Sequence, residues 1–190
     1  MAIFLQSLKQ SGRLDSLHIT VCNVGSRKLR ADDDYGSQGW EVFAPNLTIY
    51  GFDADPEACA IANADIKIRR QSGQVNWTEI HVPIGLSSFI GESKLYVTKN
   101  PMCSSLYPPN EPYISRFEEL PEFMNLDFEV DIEVTTLDDF CQIEGVSEID
   151  FLQIDVQGAD LDVLKGASWI LERSILAGKI EVEFFGSASR

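Results

Sequence analysis

Short apolar runs separated by stretches of helical spacing organise the chain, and that alternation predicts βαβ units around a largely parallel sheet. The first run, HITVCNV at His18–Val24, leads into Gly25. LTIYGF at Leu47–Phe52 is the second and is closed by Asp53, and a third extends from Thr78 to Ile84 before Gly85. Ile149–Ile154 is almost wholly apolar, as a strand covered on both faces should be, and it ends in Asp155. KIEVEFF at Lys179–Phe185 is the last predicted strand.

The intervening segments carry helix signals. Asp55 before Pro56 is a helix start, because the carboxylate can accept from open amides while proline fills a position that needs no donor. Ala58, Ile61, Ala62 and Ile66 then form an apolar stripe. Thr136–Asp139 has the T-x-x-D start pattern with Gly145 as its stop, and Leu161–Leu171 reads as a helix or two short helices broken at Gly166. MAIFLQSLKQSGRL is expected to be a first helix and Trp40–Ala44 a short one stopped by Pro45. Leu86–Thr98 is predicted to be an inserted hairpin turning at Gly91 and Glu92. Between Asn100 and Pro121, prolines at 101, 108, 109, 112 and 121 predict a loop with at most one short helix, long enough to act as a lid. A polar loop with Asp32, Asp33, Asp34, Gly36 and Gly39 follows Gly25.

The expected fold class is therefore α/β: a Rossmann-like, doubly wound, mostly parallel sheet with helices on both faces and a small inserted β-hairpin. At 190 residues, one domain over 1–190 is expected. The chain stops at GSASR, directly after a strand, so its C-terminal strands are expected to be missing.

Composition narrows the function classes. Apolar residues at 44% and charged residues at 24% are ordinary for a globular protein, but 30 acidic against 15 basic residues give a formal charge of −15. That charge repels phosphate backbones and anionic bilayers, so neither nucleic acid nor a membrane is an expected partner. No stretch approaches the roughly 20 apolar residues of a membrane span, and no signal peptide is visible. Four cysteines with no CxxC pair and two histidines argue against a metal site and for a reducing, cytoplasmic setting.

In a doubly wound sheet, ligands bind beyond the carboxyl ends of the strands where the strand order reverses. Asn23–Gly25, Asp53 and Asp155 all fall at such ends. Gly25 would let the backbone turn tightly beside a ligand. A carboxylate at Asp53 offers two acceptor oxygens to the two hydroxyls of a ribose, with Asp55 left to cap the helix. Asp155, Gln157 and Gly158 would stand at the pocket mouth, whereas Asp160 and Asp162 suit the first turn of a helix. GxGxxG is absent, which counts against a nicotinamide-dependent reductase.

Several stretches resemble one known family: TTLDDF at Thr135–Phe140, IDFLQIDVQGADLDVLKGA at Ile149–Ala167, IEVEF at Ile180–Phe184, GFDADPEA at Gly51–Ala58 and the serines of Ser104–Leu106. They are similar to the FkbM family of methyltransferases, which use S-adenosylmethionine (SAM). The resemblance implies a Rossmann-like fold that binds SAM and methylates a hydroxyl on a small-molecule or saccharide acceptor. It implies that Asn23, Gly25, Asp53 and Ala54 bind the cofactor, with Gly25 under its methionine part and Asp53 holding its ribose, and that Asp155 and Gln157 line the transfer site. Asp155 is the first candidate for general base and His81 a distant second. Asn23 stands where an acid is usual in the family, the loop from Gly25 to Asp53 is long, and the last strands are expected to be missing. Those departures motivate an alternative, a catalytically impaired SAM- or nucleotide-binding module of the same fold.

Overall fold

Apolar side chains on both faces of the first strand decide where it sits. In the computed structural model, which describes residues 3–27 and 39–182, β1 (Ile19–Val24) is buried from Thr20 onward, with Val21 and Cys22 both at 0% exposure. It pairs in parallel with β2 (Leu47–Asp53) on one side and β7 (Phe151–Ile154) on the other. β3 (Thr78–Pro83) extends the sheet beyond β2 and β8 (Ala177–Ile180) beyond β7. The order β3-β2-β1-β7-β8 is entirely parallel, so the expected Rossmann-like α/β class is what the chain adopts.

Helices cover the sheet as that order requires. α2 (Pro56–Gln71) links β2 to β3, while α6 (Asp160–Lys165) and α7 (Ser168–Arg173) link β7 to β8. Right-handed crossovers running in opposite directions from the centre place these helices on opposite faces. On the α6–α7 face, joined by α5 (Leu137–Glu144), the core packs Cys22, Val24, Phe52, Leu152 and Ile154 against Leu137, Cys141, Val163 and Ile170. On the other, Val21, Leu47 and Ile49 meet Ala44, Val75 and Trp77. α1 (Ile3–Gln10) lies by the 3-10 turn Trp40–Phe43.

The local signals for α2 and α5 match their geometry. Asp55 accepts hydrogen bonds from the amides of Glu57 (2.9 Å) and Ala58 (3.2 Å) at the start of α2. Thr136 accepts from the Asp139 amide, and Gly145 ends α5 in the left-handed region at φ 69°. α7 has no side-chain cap from its own N-terminal residue. It uses a distant one: the Asp138 carboxylate on α5 accepts from the amides of Trp169 (2.8 Å) and Ile170 (3.0 Å). Gly166 is the break between α6 and α7, and only glycine fits there, because a Cβ would lie 2.1 Å from the Ser87 carbonyl oxygen.

The predicted hairpin is wrong in its pairing. β5 (Gly91–Thr98) does not fold back on residues 86–90; it runs antiparallel to β6 (Leu126–Thr135), with Tyr96 opposite Glu129. β4 (Gly85–Leu86) pairs in parallel on the other side of β6, giving a second sheet of order β4-β6-β5. The proline-rich stretch holds a 3-10 turn at Pro101–Cys103 and two short helices, α3 (Glu111–Ile114) and α4 (Leu120–Met124), where at most one was expected. The last strand starts at Ala177, two residues before the predicted boundary, and stops at Ile180. The end of the predicted strand, the GSASR terminus and Asp32, Asp33, Asp34 and Gly36 lie outside the described residues.

Removing the distant cap leaves two amides of α7 unpaired. Asp138→Ala is expected to destabilise the protein by about 1–2 kcal/mol, the range for losing an N-cap carboxylate. Thermal denaturation followed by circular dichroism reads this as a lower Tm; an unchanged Tm would remove the Asp138 bridge from the account.

Candidate functional site

The strand order reverses between β1 and β7, and the residues leaving those two strands touch. Gly25 has φ +81°, and a Cβ there would sit 1.9 Å from the Asp155 carbonyl oxygen. Its strict need to be glycine thus comes first from the protein's own backbone rather than from a ligand. The Gly25 and Ser26 amides both donate to the Phe52 carbonyl at 2.9 Å, and the Asp155 amide donates to the Val24 carbonyl at 3.0 Å. These bonds tie the ends of β1, β2 and β7 into one rim.

At the end of β2, the duties of the two aspartates separate. Asp55 caps α2 and also forms an ion pair with Arg27 at 2.9 Å. The Asp53 carboxylate accepts the Asp55 amide through Oδ1 at 2.8 Å; among the described residues its Oδ2 accepts no hydrogen bond. Burial pushes the Asp53 carboxyl above its ordinary value, against the opposing pull of that amide and of Arg27.

At the end of β7, Gln157 is the one described non-glycine residue with positive φ, at 55°. Such a conformation persists only where neighbours enforce it. Gln157 Nε2 donates to Asp155 Oδ1 at 2.7 Å. Asp160, buried at 7% exposure, accepts from the amides of Val156 (3.3 Å) and Gly158 (3.0 Å) and so clamps the loop from below. Asp160 therefore has a structural duty. Glu181, just past β8, was not among the sequence candidates; its hydrogen bond with Asp155, together with the repulsion between the two carboxylates, raises its carboxyl above the ordinary value. The only signal in the sequence was an acid after each strand, and their meeting depends on the β7–β8 register.

Gly25, Asp53, Ala54, Asp155 and Gln157 line a single cavity of about 970 Å³. Asn23 is not on its wall. It lies in β1 at 5% exposure, and its Oδ1 is buried with no hydrogen-bond partner among the described residues. His81 is not on the wall either, and it is buried within β3 rather than at the surface. Its Nδ1 is 3.2 Å from Ser26 Oγ, its Nε2 is 3.1 Å from Glu79 Oε1, and Glu79 Oε2 accepts from Trp77 Nε1 at 3.0 Å. The order hydroxyl, imidazole, carboxylate is that of a nucleophilic hydrolase. Here both Ser26 (8%) and His81 (5%) are buried away from the cavity, so the chain braces the turn after Gly25. Gly51 leaves the room for it, since a Cβ there would meet His81 Nδ1 at 2.6 Å and Ser26 Oγ at 2.7 Å.

The cavity continues onto the second sheet, where Leu95, Val97, Phe128, Val130 and Ile132 line it together with Met102–Leu106. Tyr107 donates its hydroxyl to Asp162, anchoring this segment to α6. Burial raises the thiols of Cys22, of Cys59 (to about 12) and of Cys141 (to about 11), which keeps them protonated and inert. Among the described residues, no group of three or more His, Cys, Asp and Glu side chains could hold a metal ion, and no helix is long and apolar enough to cross a membrane.

Among known families, the model described as Methyltransferase FkbM domain matches residues 30–189. No curated protein and no solved structure matches the chain.

The raised Asp53 carboxyl sets a stability test. An acid whose folded value is raised stabilises the fold only while protonated, so ionised Asp53 costs stability at neutral pH and nothing below its unfolded value. Asp53→Asn, which keeps an acceptor for the Asp55 amide, should raise Tm at pH 7 and lose that gain below about pH 4. A lower Tm for the variant at pH 7 would show that the charge is not strained.

Proposed function

The chain belongs to the FkbM methyltransferase family, and we propose that it transfers a methyl group from SAM to a hydroxyl oxygen of a small-molecule or saccharide acceptor. The observation that carries this reading is the meeting of Gly25, Asp53 and Asp155, from three different strands, on one cavity at the reversal of strand order. The residues suit the cofactor. Among the described residues Asp53 Oδ2 accepts no hydrogen bond, and in its half-buried setting a ribose could donate its hydroxyls to it. Ala54 lies next to it on the lining. The Gly25 turn keeps the centre of the rim free of side chains. When bound, SAM supplies a methyl group already activated by its sulfonium.

The protein's task is then to place the acceptor oxygen in line and to take its proton. Asp155 lines the cavity at the end of β7 and is the group we assign to the proton. Gln157 donates to Asp155 Oδ1, which fixes the carboxylate's orientation. Glu181, hydrogen-bonded to Asp155 and raised in pKa, is the next station for that proton on its way to solvent.

The alternative of an impaired binding module drew partly on Asn23. Its position beneath the wall means that an amide there takes no polar group from the cavity lining. A base of this kind contributes about 10²–10⁴ in rate. Asp155→Asn is therefore expected to lower kcat at least 100-fold while S-adenosylhomocysteine (SAH) binds as before. Asp53→Ala should instead weaken SAH binding by about 1–3 kcal/mol, the cost of leaving buried donors unpaired. Isothermal titration and transfer of a labelled methyl group read the two effects separately. Absence of SAH binding to the intact protein would overturn the proposal.

A further inference from the structure

One wall of the cavity has no task in holding the cofactor. Along β6 the sequence LDFEVDIEVT alternates strictly, so Phe128, Val130, Ile132 and Val134 share a face, with acids on the other. The register with β5 sets Val97 opposite Phe128 and Leu95 opposite Val130, which extends the apolar face across both strands. Val134 is 2% exposed, whereas Val130 is 40% and Phe128 53% exposed. The face therefore begins in the core and runs out, uncovered, into the open part of the cavity.

Antiparallel sheets usually turn their polar face to water and bury the apolar one. Here the polar face is satisfied: Lys94 lies 3.1 Å from Glu129 and 3.5 Å from Asp131. Among the described residues nothing covers the outer part of the apolar face, and it is continuous with the strand-end rim that carries Asp155. A cavity of about 970 Å³ is at the upper end for ligand sites, about 300–1,000 Å³, so a second molecule has room beside a cofactor. Its charge selects what that molecule can be. The acids that line it from the strand ends are Asp53, Asp55 and Asp155, against two cations, Arg27 and Lys99, and Arg27 is already paired with Asp55. Phosphorylated or carboxylated acceptors would meet repulsion.

We propose that the β5–β6 face is the acceptor subsite and that the acceptor is a neutral amphiphile. Its hydroxylated head reaches Asp155, and its aliphatic or aromatic part lies on Leu95, Val97, Phe128 and Val130. This rests on the reading of the site as one for methyl transfer to a hydroxyl.

Methyl β-D-glucoside and octyl β-D-glucoside, the latter kept below its micelle concentration, test it. They present the same hydroxyls without charge and differ only in the apolar chain. Isothermal titration should give a dissociation constant at least tenfold lower for the octyl compound, with and without SAH. In Phe128→Ser/Val130→Ser, with far-UV circular dichroism unchanged, the two should bind within about threefold of each other, since exposed apolar contacts worth a few CH₂ groups are gone. Equal binding of the two glucosides to the original protein overturns the subsite, and so does an octyl preference that survives in the double variant. A dimer that sedimentation shows to be broken by the double variant overturns it too, because a second copy would then be what covers the face. Failure of SAH to bind speaks against the methyl-transfer reading alone, as the glucoside comparison is also made without it.

Discussion

The approach of the Gly25 backbone to the Asp155 carbonyl is the contact on which the site depends. A methyl group in place of one hydrogen of Gly25 would lie 1.9 Å from that oxygen, so the two strand ends can meet only with glycine there. The meeting occurs where the order β3-β2-β1-β7-β8 reverses, the place where diverging crossovers leave a crevice. With the Gly25 and Ser26 amides both on the Phe52 carbonyl, the end of β2 is drawn to the same rim. Asp53 and Asp155, far apart in sequence, thereby face one cavity.

Other parts of the fold keep that rim in place. Asp160 holds the loop that carries Gln157 in its left-handed conformation, and the buried chain from Trp77 through Glu79 and His81 reaches Ser26 from the opposite face of the sheet. Asn63 fixes His81 with a reciprocal pair of bonds to its backbone, at 2.7 and 2.8 Å. Farther out, Gly166 against Ser87 and Asp138 against the start of α7 seat the helices that follow β7. The bonds from Trp77 through Glu79 and His81 to Ser26 are deeply buried, where polar groups are costly unless paired, so they also protect the core from the penalty of its own polar atoms.

What was legible in the sequence was local. The caps at Asp55 and Thr136, the stop at Gly145 and the break at Gly166 each follow from residues within a turn of one another. The strand ends were legible because apolar runs stop abruptly at Gly25, Asp53 and Asp155. Pairing over distance was not. β5 was assigned a partner across a nearby glycine turn, while its partner β6 lies beyond the proline-rich segment. The strict alternation of residues 126–135 was the available signal for that strand. TTLDDF resembled a family signature, but the duty of Asp138 in it, capping a helix 30 residues on, is visible only in three dimensions. Glu181 and the withdrawal of Asn23 from the wall depend likewise on register and depth.

The central claim is that the rim joined by Gly25 and Asp155 is a SAM site with transfer chemistry at Asp155. A crystal structure of the protein with SAH tests it most directly. The account predicts the ribose hydroxyls within hydrogen-bonding distance of the Asp53 carboxylate, and the sulfur turned toward Asp155 and the β5–β6 face. SAH bound with its ribose away from Asp53, or with its sulfur turned from Asp155, would contradict it.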